Sequence, residues 1–253
     1  MKAEEIIALV TGGASGLGEA CVREIVGIGG RAAVLDIQES KAIDLVKNLG
    51  SRAIFIKCDV TNDESVKSAI EKTVSSFGRI NVLINCAGIG GPCKVLGKEG
   101  PMATSFFNHR IQINLVGTMR AIIFSSEQMA KNDPNSEGER GVIINTSSIA
   151  ASQGQIGQAA YAASKAGING LMLPVARELA AHGIRVMTIA PGVIDTPLFK
   201  NVPEKGRQLL EQSVPFPKRL GRPTEYARLA MHLIENPYIN AEIFAITGGL
   251  RMI

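Results

Sequence analysis

Tyr161 and Lys165 stand four residues apart at the end of the stretch Asn145–Lys165. On a helix that spacing places them one turn apart on the same face, near enough to interact. A phenol titrates near pH ~10 and is a poor base at neutrality. An ammonium one turn away favours the phenolate and brings its pKa toward the working range, which makes Tyr161 an acid and a base. Thirteen residues before the tyrosine lies Ser148, beyond the apolar run Val142-Ile143-Ile144 that reads as a buried strand. A hydroxyl at a strand's carboxyl end faces the crevice where open α/β sheets bind ligands, so Ser148 is placed to hydrogen-bond a substrate oxygen beside Tyr161. Each residue also has an ordinary reading. Tyr161 alone is a half-buried helix aromatic, Lys165 a solvated charge, Ser148 a strand-end cap. Their convergence, together with a glycine-rich turn near the start of the chain, favours chemistry.

That turn is Thr11-Gly12-Gly13-Ala14-Ser15-Gly16-Leu17-Gly18, between the apolar run Ile6–Val10 and a helix-period segment from Glu19 to Val26. Helix N-terminal amides there can cradle a pyrophosphate, and Gly12, Gly16 and Gly18 let the backbone approach it. A second strand, Arg31 to Asp36, ends in an acid eighteen residues beyond Gly18. A carboxylate at that place accepts from both adenosine ribose hydroxyls and repels a 2′-phosphate, so Asp36 argues for NAD over NADP. Ser15 is neutral where a 2′-phosphate would favour a base. The competing reading of Asp36 is a cap on the helix Gln38–Leu49.

The alternation continues. Ala53–Cys58 reads as a strand closed by Asp59-Val60, where Asp59 either accepts from an adenine amino group or caps the helix Ser65–Phe77. Ile80–Ile84 is a strand ending in Asn85-Cys86-Ala87-Gly88, small residues on which a cofactor can lie flat. Gly90–Thr104 is a loop long enough to cover something. A long helix is expected from about Phe106 to Met129, with Asn114 before Gly117 marking a local break in the backbone ladder, since a mid-helix amide needs partners. The catalytic helix is expected over roughly Gln155–Ala181, a strand over Ile184–Ile189, and a kinked loop Pro191–Pro197 after it. Leu198–Pro223 shows only a short helical patch and reads as a lid over a substrate. A last helix, Thr224–Ile234, precedes a last strand, Glu242–Thr247. Strand and helix alternating throughout imply an α/β chain of about seven parallel strands, doubly wound, with helices on both faces.

Composition agrees with one globular domain spanning 1–253 and a substrate-covering region at about 195–222: 45% hydrophobic, 20% charged, and no apolar run long enough to span a bilayer. The net charge of +4 and the short cluster Lys218-Arg219-Leu220-Gly221-Arg222 fall short of a nucleic-acid footprint. Cys21, Cys58, Cys86 and Cys93 form no C-x-x-C pair, and His109, His182 and His232 lack ligand spacing, so no metal is expected. The N-terminus runs straight into the first strand, leaving no room for a cleavable signal or transit segment; import by an internal signal, or a cytoplasmic location, both fit.

These motifs resemble the short-chain dehydrogenase/reductase family over nearly the whole chain. The family's T-G-x-x-x-G-x-G turn is Thr11–Gly18, its N-N-A-G motif is Asn85–Gly88 with Cys86 in place of asparagine, and its Ser/Tyr-x-x-x-Lys site is Ser148, Tyr161 and Lys165, with Asn114 as the helical fourth member. Cys86, Arg140–Thr146, Gly157–Tyr161, Ile184–Gly192, Val214–Pro217 and Gly249–Met252 are similar to members acting on 3-hydroxyacyl-CoA thioesters and hydroxysteroids. The resemblance implies a Rossmann-type sheet and an NAD-dependent homotetramer, usually mitochondrial, interconverting a secondary alcohol and a ketone. It implies NAD contacts from Gly12, Ser15, Gly16, Leu17, Gly18, Asp36, Asp59, Val60, Cys86, Ala87, Gly88, Tyr161, Lys165, Pro191, Ile194 and Thr196, substrate contacts from Ser148 and Tyr161, and a proton relay through Asn114. Gly90–Thr104 departs from that group's pattern, which bears on substrate range. Two rival readings are a 3-oxoacyl thioester reductase or sugar dehydrogenase of the same family, and a scaffold subunit in mitochondrial tRNA processing.

Overall fold

Continuous apolar runs become central strands here because helices cover both faces, and the two-residue side-chain period then divides each run between two cores. The computed structural model describes residues 1–199 and 204–252. Its main sheet is built from β1 (Ile7–Thr11), β2 (Arg31–Asp36), β3 (Ala53–Lys57), β4 (Val82–Asn85), β7 (Gly141–Thr146), β8 (Ile184–Pro191) and β9 (Ile243–Ile246), while β5 (Leu96–Gly97) and β6 (Gly100–Pro101) form a separate hairpin. The seven strands run parallel in the order β3-β2-β1-β4-β7-β8-β9. Ala8 and Val10 of β1 join one core with Val82, Ile84, Val142 and Ile144, and Leu9 joins the opposite core with Leu83 and Ile143.

Helices α1 (Gly16–Gly27), α2 (Glu39–Leu49) and α8 (Pro223–Glu235) cover the first face. Helices α3 (Asp63–Phe77), α5 (Gly117–Met129) and α6 (Ala159–Ala180) cover the second. The chain leaves β1 toward β2 and β3, then returns to place β4 on β1's other flank. The strand order therefore reverses between β1 and β4, and the crevice beyond their carboxyl ends is where a ligand binds in such sheets.

The boundaries differ from the sequence expectation in places with physical causes. The long helix expected from Phe106 to Met129 is three pieces: α4 (Thr104–Ile111), a π-helical turn over Gln112–Val116, and α5. The break anticipated at Asn114 is that turn. The catalytic helix starts at Ala159 rather than Gln155, because Gln155–Gln158 is spent in a turn in which the Gln158 side chain accepts from the Gln155 amide at 3.0 Å. Asp36 does not cap α2, whose N-cap is Gln38, and Asp59 does not cap α3, whose N-cap Asn62 accepts from the Ser65 amide. Within the expected covering region lies α7 (Glu204–Ser213), with 200–203 outside the described residues.

Candidate active site

Three polar side chains end adjacent strands and knit the sheet's carboxyl edge. Thr11 of β1 donates to Asn85 Oδ1 of β4 at 3.3 Å, and Asn85 donates to Asn145 Oδ1 of β7 at 2.9 Å. Because all three are buried, the rigid bonds fix the strand ends from which the site hangs. Beyond that edge opens a cleft of about 510 Å³, within the range of small-molecule sites.

One end of the cleft is the glycine turn. Gly12, Ser15, Gly16, Leu17 and Gly18 line it, and α1 begins at Gly16, so the unpaired amides of the first helical turn lie at its wall. Gly12 has φ +64°, and a Cβ there would come within 2.7 Å of the Ala87 amide nitrogen; at Gly18 a Cβ would strike the Gly12 carbonyl. Side chains are excluded at both positions by backbone, which leaves a surface that a phosphate can approach. The Ser15 hydroxyl makes no capping bond. At the far side Asp36 is 6% exposed; one carboxylate oxygen accepts from the Ala14 amide at 3.1 Å and the other from Gln38 at 2.9 Å. Each oxygen keeps a lone pair, and Asp36 lines the cleft with Ile37, Gln38 and Lys41, whose ammonium donates to Gln38 Oε1 at 2.8 Å. Asp59 and Val60 form the adjoining wall. Arg120 of α5 holds that turn by donating to the Val60 carbonyl at 2.7 Å and by pairing with Asp63. Cys86, Ala87 and Gly88 supply the floor, and Thr196 closes the opposite side with Pro197 and Leu198. A dinucleotide fits this set: glycine backbone for phosphates, a carboxylate for ribose, small residues beneath a ring.

The reactive side chains meet at the floor's end. An ideal Cβ on Gly88 would lie 3.3 Å from Asn114 Oδ1 and 3.7 Å from Lys165 Nζ, so this glycine is the partition between the cleft and those two side chains. Lys165 is buried and donates to the Thr146 carbonyl at 2.7 Å, with its nitrogen 5.7 Å from the centre of the Tyr161 ring. Tyr161 is half-buried and hydrogen-bonded with Ser148. Asn114 is fully buried: its amide donates to the Ile89 carbonyl and to Ser164 Oγ, both at 3.0 Å, and its oxygen accepts from the Ile89 amide at 2.9 Å. The π turn thus faces an amide toward the loop after β4 and ties that loop to α6.

Burial dominates the electrostatics of both groups. Burial pushes the Tyr161 phenol up, and its hydrogen bond with Ser148 pulls it partly back. Burial lowers the lysine itself to about 8, against a small opposing effect from Cys86. One of the ammonium's three donors goes to the Thr146 carbonyl, and burial favours the acid form of the tyrosine.

Pro191 ends β8, buried, and Ile194 is 4% exposed, bridging to Gly221 in the wall of a separate, smaller cavity with Arg219 and Glu225. The structure does not bring either side chain to the cleft. Conversely, Thr146, Tyr226, Ser164, Gln38 and Lys41 had no local signal. Tyr226, fully buried in α8, bonds Thr146 Oγ1 at 2.7 Å across eighty residues of sequence.

Among the described residues no cluster of three or more His, Cys, Asp or Glu gathers to hold a metal, and no helix is long and apolar enough to cross a membrane. The family model for short chain dehydrogenases matches residues 6–207. Human 3-hydroxyacyl-CoA dehydrogenase type-2 is 47% identical over 249 residues, 98% of this chain and 95% of that protein. A 3-oxoacyl-acyl-carrier-protein reductase of Thermotoga maritima is 33% identical over 255 residues, 99% of each. The crystal structure of a 3-hydroxyacyl-CoA dehydrogenase type-2 from Mycobacterium avium superposes with a TM-score of 0.94 at 38% identity, covering 100% of this chain and 99% of that one. With a glycine cradle, a sheet-edge cleft and a Ser148–Tyr161–Lys165 group behind one glycine, the chain belongs to the short-chain dehydrogenase family and is an oxidoreductase that uses a nicotinamide cofactor.

Proposed function

We propose that this chain is an NAD-dependent dehydrogenase interconverting 3-hydroxyacyl-CoA and 3-ketoacyl-CoA, with hydroxysteroids as further substrates. The observation carrying the reading is the Asp36 carboxylate, fixed by two backbone amides and facing the adenosine end of a cleft whose other end is the Tyr161 group. A carboxylate held there accepts ribose hydroxyls and repels a 2′-phosphate. The greater identity to 3-hydroxyacyl-CoA dehydrogenases than to the reductase, 47% against 33%, supports the thioester substrate.

When bound, the nicotinamide supplies or accepts the hydride. The glycine turn, Asp36, Asp59, Val60 and the Cys86–Gly88 floor hold the dinucleotide. Ser148 donates to the substrate oxygen, and Tyr161, protonated at neutral pH, gives its proton to a ketone or takes one from an alcohol once ionised. Lys165 reaches the ribose side of the cleft past Gly88. Asn114 has one free lone pair on Oδ1 for a proton-relaying water, its other valences being committed to Ile89 and Ser164. The described residues of the region 195–222, with α7, are assigned to covering the substrate. Exposed Ile123 on α5, Leu173 on α6 and Ile243 on the edge strand β9 suit burial between four copies. A mitochondrial setting follows from the resemblance.

Initial rates of NADH consumption with acetoacetyl-CoA, simple ketosteroids and free sugars test the reading, each repeated with NADPH. Acetoacetyl-CoA with NADH is expected to be fastest. Faster turnover of sugars, or equal use of NADPH, overturns it.

A further inference from the structure

Asn114, Gly117 and Arg120 follow one another at intervals of three residues, and between them they reach both ends of the cleft. Asn114, in the π-helical turn, holds the Ile89 amide and carbonyl at the end where Lys165 lies. Gly117 and Arg120, at the start of α5, meet the other end, where Val60 lines the wall. An ideal Cβ on Gly117 would lie 2.8 Å from Val60 Cγ2 and 3.2 Å from the Val60 carbonyl oxygen, so the valine packs directly on the helix backbone. Arg120 donates to that carbonyl at 2.7 Å and pairs with Asp63 in the first turn of α3. Its side chain is 15% exposed, against 58% for Asp63. One planar, pre-organised group therefore grips a carbonyl and a carboxylate three residues apart.

The turn that Arg120 grips is short and joins β3 to α3. Among the described residues, the other hydrogen bonds of Asp59–Asn62 stay within residues 59–66. The Asn62 amide donates to the Asp59 carbonyl at 3.1 Å, the Thr61 amide and hydroxyl to Asp59 Oδ1 at 2.9 and 2.8 Å, and the Asp59 amide to Ser65 Oγ at 3.0 Å. Those bonds give the turn its shape. They do not fix its place against the rest of the molecule, which falls to Arg120 and to the contact of Val60 with Gly117. A wall made of so short a connection moves unless something outside it holds it, and a ligand bound against it then bears the cost of ordering it.

We infer that Arg120 is a positioning residue for the adenosine half of the cofactor, fixing through the Val60 carbonyl and Asp63 the wall against which an adenine ring rests. The inference rests on the assignment of Asp59 and Val60 to the adenosine end. Arg120 itself touches neither the ring nor the reacting atoms; it acts by presenting Val60 and the exposed Asp59 in one arrangement before the cofactor arrives. Its influence is therefore confined to binding of the adenosine half. Chemistry at Tyr161, once the cleft is saturated, does not depend on it.

The test is calorimetric binding of AMP to the full chain, which needs no turnover, set beside steady-state rates with NADH and the fastest ketone substrate. Arg120→Met is expected to weaken AMP and to raise the KM for NADH by about tenfold, the cost of ordering a loop on binding. The kcat at saturating NADH and the KM for the ketone are expected to stay within about twofold, a split that a general loss of structure does not produce. Arg120→Lys keeps the charge but not the fork, so its AMP affinity should fall between the two, and it decides the matter if Arg120→Met does not fold. AMP affinity that the substituted, folded protein retains in full overturns the proposal, as does a parallel loss of AMP affinity, kcat and ketone KM. Asp36→Ala separates the inference from the reading beneath it. If Asp36→Ala weakens AMP and the Arg120 variants do not, the role of Arg120 falls alone; if Asp36→Ala leaves AMP unaffected, the placement of the adenosine end falls and the inference with it.

Discussion

Two buried cations sit at opposite ends of the same sheet and are treated in opposite ways. Arg185, at the start of β8, pairs with the buried Glu139 and donates to the carbonyls of Leu233, Ile234 and Ile239, the first two at the end of α8 and the third just beyond. Lys165, at the carboxyl end, has no carboxylate partner among the described residues and donates to one carbonyl, that of Thr146. The arginine's charge is neutralised and all three of its nitrogens donate, so it cross-links strand, turn and helix end. The lysine's charge is left exposed to its own desolvation, which lowers its pKa to about 8 and keeps it responsive to whatever enters the cleft. The paired cation builds the frame; the unpaired one is the one that the proposed function assigns to the chemistry.

The largest expected effect that bears on this contrast is at Lys165. Lys165→Met is expected to lower kcat/KM by ~10²–10⁴-fold, read from steady-state rates, with the fold intact by circular dichroism. A loss below about tenfold breaks the assignment of the lysine to the site. Arg185→Leu is expected to do the reverse, costing up to ~3–5 kcal/mol of stability by taking the guanidinium from the buried Glu139, which keeps the N-terminal ammonium at 3.8 Å, while activity per folded molecule holds. Urea unfolding measures the first and active-site-normalised rates the second; a stable but inactive protein would mean that the frame and the chemistry are not separated in this way.

The pH dependence sharpens the comparison further. Unfolded Lys165 keeps its proton up to its ordinary value of 10.5, whereas the folded group gives it up near 8, so between those values the unfolded state binds more protons and stability rises with pH. The wild type should gain about 3 kcal/mol relative to Lys165→Met across that window. A flat difference between the two unfolding curves contradicts the burial argument. The smallest effect is expected from Gly88→Ala, whose methyl would crowd Asn114 Oδ1 at 3.3 Å and Lys165 Nζ at 3.7 Å. Misplacing the group by a few tenths of an ångström should lower kcat by roughly tenfold with little change in melting temperature; unchanged kcat would show that the partition is not tight.

The same contrast marks what the amino-acid sequence discloses. Runs such as Ile6–Val10 and Val142–Ile144 announce central strands because burial on both faces leaves them uniformly apolar, and the i, i+4 pair Tyr161/Lys165 and the glycine turn are local patterns. Asn114 was legible as a break, since an amide inside an apolar helix must find partners. What lay hidden depends on pairs distant in the chain. Nothing near Arg185 points to Glu139 forty-six residues away, and nothing near Tyr226 points to Thr146. How Lys165 and Tyr161 share their environment also depends on pairs distant in the chain. Spacing gives proximity along the helix, while one of the lysine's donors goes to a carbonyl from another strand and burial acts on both groups at once. The start of α6 at Ala159 and the hairpin β5–β6 turned on single turns whose geometry short polar segments do not announce.

The π-helical turn between α4 and α5 has a further meaning for how one stretch of chain serves two masters. A helix of constant pitch shows a single stripe to a single neighbour, but one surplus residue rotates everything after it by about 100°. Here α4 lies along α6 while α5 lies along α3, and the residues of the surplus turn form the swivel. The amide that braces the reaction chamber thus stands on the pivot itself, where any tightening of the coil would turn it away from Ile89 and Ser164 and loosen the roof and wall together.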